Sequence, residues 1–140
     1  MTKYEVIFKR FSNKITDFKI LDLDDDDVLE MSVLWMNSAI SKFKTITSDL
    51  SKRDDESLSF EDDLLDVEIE VLAMMMVTEW LEPQLNSELY VSQFYGGKEE
   101  KFFAQANQLD KLMSLKEKNE IACKKRIRDY GYQQFIKNNG

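Results

Sequence analysis

The sequence predicts an all-α fold of four to five helices that ends in a long C-terminal helix, and three observations carry that prediction. Apolar residues recur at helical period along the first segment, a stretch near the middle is apolar on almost every side, and a last stripe runs for about 30 residues. A chain of 140 residues is the size of one domain. Within that one domain we distinguish a helical body over residues 1–104 from a long helix with a basic tail over residues 105–140.

Tyr4, Ile7, Phe8, Phe11 and Ile15 stand on a single face, which predicts a helix over residues 3–16. An alternating strand through Tyr4, Val6 and Phe8 breaks at Lys9 and Arg10. Phe18, Ile20, Leu21 and Leu23 lead into Asp24, Asp25, Asp26 and Asp27, whose carboxylates suit the positive end of a second helix. Leu29, Val33, Met36, Ile40 and Phe43 carry that helix to about Lys44, with Leu34 and Trp35 widening the stripe. Residues 45–64 lose the period and read as a loop, the most mobile stretch, with a short extended piece at Leu58-Ser59-Phe60.

The next helix starts near Asp66 and runs through Ile69, Leu72, Ala73, Met76, Val77 and Trp80. Its nearly all-apolar run from Val71 to Val77 predicts burial on most sides, by the same domain or by neighbouring subunits. Trp35, Leu72, Met76 and Trp80 are the expected core anchors. Pro83 disfavours helical geometry at Glu82, so a kink or a fresh start is expected there, followed by a short helix to Phe94. Gly96-Gly97 and the charged Lys98-Glu99-Glu100-Lys101 predict an exposed turn.

The last helix is expected from near Gln105 to about Phe135, roughly 45 Å at 1.5 Å per residue. Its stripe is Leu109, Leu112, Met113, Ile121, Ala122, Ile127, Tyr130 and Phe135. The charged interval Lys116 to Glu120 predicts a solvated middle, with apolar contacts resuming at Ile121. Gly131 is expected to end or bend the last turns.

The residue inventory narrows function. With no histidine the commonest general base is missing, and with it the Ser-His-Asp and Cys-His arrangements. Cys123, the single cysteine, makes no internal disulfide, and the usual zinc sets are unavailable. Gly96-Gly97 lacks the spaced glycines and the lysine of a phosphate loop. Counted as a calcium loop from Asp22, the chain has Asp27 where glycine is needed and Val33 where glutamate is needed. The cluster Asp62, Asp63, Asp66, Glu68 and Glu70 is explained by a helix dipole. We therefore expect no enzyme activity, and no catalytic, metal or cofactor site. No apolar run approaches the ~18 residues of a membrane span, and Met1 to Glu5 lacks the apolar core of a signal peptide. The expectation is a chain made and kept in the cytosol, with no membrane partner.

Charge is uneven. Residues 1–104 hold 11 Lys and Arg against 23 Asp and Glu, a net of −12, whereas residues 105–140 hold 8 against 4, a net of +4. The acidic body disfavours sequence-specific DNA binding. Lys124, Lys125, Arg126 and Arg128 either meet an acidic partner or simply favour the negative end of a helix dipole. Aromatic residues bracket the glycine turn, at Phe94, Tyr95, Phe102 and Phe103, and punctuate the basic terminus, at Tyr130, Tyr132 and Phe135. Such rings belong either to an interface or to ordinary core.

Two stretches resemble a known family. Leu65-Asp66-Val67-Glu68-Ile69-Glu70-Val71-Leu72-Ala73, followed by Glu79-Trp80-Leu81-Glu82-Pro83, resembles the central helix of head-tail connector (neck adaptor) proteins of bacteriophages from low-GC Gram-positive hosts. Phe102-Phe103-Ala104-Gln105-Ala106-Asn107-Gln108-Leu109 looks like the Ser-x-Ala-Asn-x-Leu opening of their long last helix. The sequence departs from the family at Ala104 and Leu65, where a capping serine and a capping threonine are common. The resemblance implies a structural virion protein, made in the bacterial host cytoplasm and placed in the neck. It implies a ring, usually a dodecamer, docked to the portal protein and meeting the next neck or tail ring, which extends the channel for non-specific passage of double-stranded DNA. Connector tails commonly reach into the portal. Lys124, Lys125, Arg126, Arg128, Tyr130, Tyr132 and Phe135 are therefore the expected portal or subunit interface, so that a chain lacking residues 124–140 would stay folded. The alternative reading is a small acidic helical binding module that mimics DNA and inhibits a host protein.

Overall fold

The computed structural model describes the backbone of residues 1–15, 25–95 and 99–139, and the side chains of those residues except 25, 87–95, 99–108 and 139. The order is β1 (Thr2–Lys3), α1 (Tyr4–Lys14), α2 (Asp25–Lys42), β2 (Arg53–Asp54), β3 (Ser59–Phe60), α3 (Asp66–Tyr95) and α4 (Glu99–Asn139). The protein is mostly helical with a long C-terminal helix, and it adds a three-stranded antiparallel sheet in the order β1-β3-β2. The lead-in from Phe18 to Asp24 and the Gly96-Gly97 turn lie outside the described residues.

α3 is the hub against which α1, α2 and α4 each pack. Val71, Leu72, Ala73, Met74, Met76 and Val77 are all buried, as a helix apolar on every side requires. α1 presents Tyr4, Ile7 and Phe11 inward at i, i+3 and i+7, and Ile15 caps its end in the same core. On α2 the buried face is Ser32, Met36 and Ala39, continued by Phe43 just beyond it, whereas Leu29 and Leu34 of the expected stripe are exposed. Leu72, Met76 and Trp80 are core, and Trp35 sits half-buried at its edge with its ring 5.6 Å from that of Phe11.

Three expectations need correction. The segment 45–64 is tied to the body: Leu50, Phe60 and Leu64 enter the core, and the Phe60 ring lies 5.0 Å from Tyr4. Thr2 and Lys3 pair with Phe60 and Ser59, so the chain start supplies the strand that completes the hairpin. α3 passes through Pro83 without a break. The proline removes one hydrogen bond to the Glu79 carbonyl, but Trp80, Leu81 and Leu85 are buried on either side, and that packing carries the helix across. α4 begins earlier than Gln105 and continues beyond Gly131 to Asn139.

Polar contacts fix the start of α3. Glu68, three residues into the helix, accepts the Leu65 backbone N–H at 2.7 Å, so half of a capping box forms although Leu65 offers no side-chain cap. Arg10 reaches Asp66 and Glu70, and Lys14 reaches Glu70, joining α1 to the first turns of α3. Farther along, Lys42 and Ser38 hold Glu79.

Candidate functional site

At about 100° per residue, α4 has two unlike faces. One carries Leu112, Asn119 and Tyr130, all buried against the body, with Leu115, Cys123 and Ile127 partly buried beside them. The opposite face carries Ile121, Lys124, Lys125, Arg128, Tyr132 and Ile136 at i, i+3, i+4, i+7, i+11 and i+15, every one of them exposed. Phe135 lies next to this stripe and is also exposed.

The inner face is held by polar groups as well as by packing. Asn119 Nδ2 donates to the Met74 carbonyl at 2.8 Å and to Thr78 Oγ1 at 3.1 Å. The middle of the helix is therefore docked rather than solvated, and contact does not resume at Ile121, which is 64% exposed. The reason is angular: positions 119 and 121 stand about 200° apart, so both cannot face α3.

Tyr130 corrects the tail assignment most clearly. It is 1% exposed, its hydroxyl donates to Glu68 Oε2 at 2.9 Å and accepts the Thr47 backbone N–H at 2.9 Å, and its ring meets Phe43 edge-on. Glu68 is itself fully buried and accepts from Ser48 Oγ as well. Tyr130 is a core residue, and Tyr132, two positions on, is 66% exposed on the other side. Burial pushes the Tyr130 phenol above its ordinary value, which keeps it a hydrogen-bond donor. Burial likewise raises the Cys123 thiol, so it is a poor nucleophile.

Lys124, Lys125, Arg126 and Arg128 are exposed. Arg128 lies 3.7 Å from Asp129 in a solvated pair of little energetic weight. Asp66 is held below the usual carboxylate range first by Arg10 and more weakly by Arg126. Phe94, Tyr95, Phe102 and Phe103 lie outside the described side chains.

Tyr130 is buried against the body, and nine residues, 131 to 139, follow it in the same helix. They extend about 13 Å farther. Because Asn119 meets Met74 and Thr78 while Tyr130 meets Glu68, α4 runs antiparallel to α3. The stripe could be found in the sequence by asking which aromatic shares a face with Leu112. Tyr130 does and Tyr132 does not.

Two grooves flank the middle of α3. One, of about 450 Å³, lies between α2 and α3, with Met31, Trp35, Trp80 and Pro83 in its wall and Asp27 and Glu30 at its rim. The other, of about 780 Å³, lies between α3 and α4 and is lined by Glu82, Leu85, Asp110, Met113, Glu117 and Glu120. Among the described residues no group of three or more Asp, Glu or Cys side chains is placed to hold a metal ion. No helix among them is long and apolar enough to cross a membrane.

Comparison with protein-family models, with curated proteins and with solved structures finds no match to this chain.

Proposed function

We propose that this chain is a bacteriophage head-tail connector that assembles as a ring, docks to the portal protein and extends the channel through which DNA leaves the head. One observation carries the reading: α4, 41 residues or about 60 Å long, continues nine residues past the buried Tyr130 and bears an exposed stripe of apolar and basic side chains between Ile121 and Ile136. A globule of this size has a radius of gyration of only about 14 Å, so a helix of that length needs neighbours to cover it. Ile121, Tyr132, Phe135 and Ile136, with Lys124, Lys125, Arg126 and Arg128, form the portal or subunit interface of this reading, and Tyr130 is reassigned to the core. The acidic body suits a conduit, because surfaces that repel phosphate let DNA pass without adhering.

The resemblance of the α3 sequence to connector central helices supplies the specific partners. These are the portal, the next neck or tail ring, and further copies of the chain, twelve in the usual case. The experiment is to mix the full-length protein with the portal protein of its own phage and image the product by electron microscopy. A ring of this chain seated coaxially on the portal is the expected result, and a portal that stays bare at saturating protein refutes the reading.

A further inference from the structure

We infer that two copies of the free chain pair through the outer face of α4, side by side and antiparallel about a twofold axis near Ile121. That face carries a seam in which Asp110, Ser114, Glu117, Ile121, Lys124 and Arg128 follow one another at steps of four and three residues, and all six are exposed. Such steps keep a seam on one side of a helix and are the spacing at which two helices pack along their length. The buried Leu112, Asn119 and Tyr130 lie on the other side, so the seam faces away from the core. Charge changes sign along it. The carboxylates of Asp110 and Glu117 come before Ile121, and the cations of Lys124 and Arg128 come after it. Ile121 itself, at the point of reversal, is 64% exposed.

The order of the charges fixes both the occupant and its direction. Laid parallel, a second copy of the seam would set carboxylate against carboxylate and cation against cation. Laid antiparallel, it sets Glu117 of each copy near Lys124 and Arg128 of the other and brings the two Ile121 side chains together at the axis. Lys111 and Lys118 stand about 60–80° off the seam, on the flank that also carries Asp129, and the twofold axis sets like flank against like flank, so these signs are opposed as well. Glu82 adds a carboxylate beside the acidic half, in the groove that Asp110 and Glu117 also line. Among the described residues Glu117 and Lys124 form no ion pair, and Arg128 has only its solvated contact with Asp129, so these charges are open to a second chain. The contact is isologous: one patch meets itself, both halves are satisfied at once, and association stops at two chains. The pair covers the face that the connector reading gives to the portal, so pairing and docking exclude each other. Pairing goes beyond that reading and does not need it.

The test is sedimentation of the full-length chain at low salt, as wild type and as charge variants with unchanged circular dichroism. One variant carries Asp110→Lys with Glu117→Lys, the second carries Lys124→Glu with Arg128→Glu, and the third carries all four changes, every one at an exposed position. Wild type is expected to form particles of two chains that separate as salt screens the seam. The first and second variants, each with a seam of one sign, are expected to lose affinity by at least about tenfold when alone and to pair with each other when mixed. The third has the whole seam reversed and is expected to pair as wild type does. A wild-type chain that stays single or grows beyond two chains, one-sign variants that pair normally alone, a mixture of them containing only single chains, or a reversed seam that stays single overturns the inference. Pairing of this pattern with a portal that stays bare would remove the connector reading and leave this one standing; portal docking by a chain that never pairs does the reverse.

Discussion

Tyr130 donates its phenolic hydrogen to Glu68 at 2.9 Å, joining the last docked turn of α4 to the first turn of α3 across 62 residues of sequence. The same carboxylate caps Leu65 and accepts from Ser48, so one buried acid gathers three segments. Tyr130→Phe keeps the ring and removes the donor. Chemical denaturation should show a loss of about 1–3 kcal/mol, the cost of leaving a buried carboxylate and the Thr47 N–H short of a partner. A variant as stable as wild type would show that the network contributes nothing.

Where the tail is cut should decide whether the chain folds. Ending the chain after Tyr130 removes, among the described side chains, only exposed or partly exposed ones, and stability should stay within about 1 kcal/mol of wild type. Ending it after Cys123 also removes Ile127 and Tyr130, so the loss should exceed about 3 kcal/mol. Thermal melts of the two truncations read this directly, and equal melts would contradict it. The wider deletion, of residues 124–140, is thus no clean test of docking.

Asn119 places a polar register mark in the seam between α3 and α4. Asn119→Leu should cost about 1–2 kcal/mol through the lost bonds. Asn119→Asp should cost more, because a carboxylate would face the Met74 carbonyl, and its deficit should grow as pH rises through the carboxylate range. Denaturation at two pH values separates the two effects.

Glu70 links stability to acid. Burial pushes its carboxyl up, but the charges and hydrogen bonds of Lys14 and Arg10 outweigh that and hold it below the ordinary 4.5. A folded value under the unfolded one means that this stabilisation is complete above the unfolded value and fades as pH falls through the folded one. Glu70→Gln should lower stability at neutral pH by roughly 1 kcal/mol and flatten the decline below pH 4.5. Parallel pH profiles for mutant and wild type would exclude the linkage.

Trp80 closes the apolar run of α3 and is buried. Trp80→Ala should cost about 3–5 kcal/mol in denaturation. A loss under about 1 kcal/mol would place the ring at the surface.

The helices were legible because their apolar spacing is local: α1, the bulk of α2 and the run from Val71 to Val77 follow from period alone. Of the sheet only the extended piece at Ser59-Phe60 was legible, because Thr2 and Lys3 find their partners nearly sixty residues away and strands of two residues leave no alternation to read. Pro83 misleads for a related reason, since propensity is judged locally while Trp80 and Leu85 hold the helix through tertiary contacts. At the tail, composition marked the right stretch but merged two faces. Tyr130 and Tyr132 look alike in a list of aromatics and stand on opposite sides of the same helix. Asn119 carried no signal within its run of charges, because its partners on α3 lie more than forty residues away.

Asn119 and Tyr130 together make α4 a lever with two pins. A slide of one turn, about 5.4 Å, would break both sets of bonds at once, so axial load is shared and the helix resists shear as a unit. A sideways push on the exposed end of α4 acts differently, since Tyr130 then serves as fulcrum and the strain falls first on Glu68 and the opening turn of α3. Pressure from whatever grips the tip would thus be felt at the junction with the 45–64 segment before it reached the middle of the bundle.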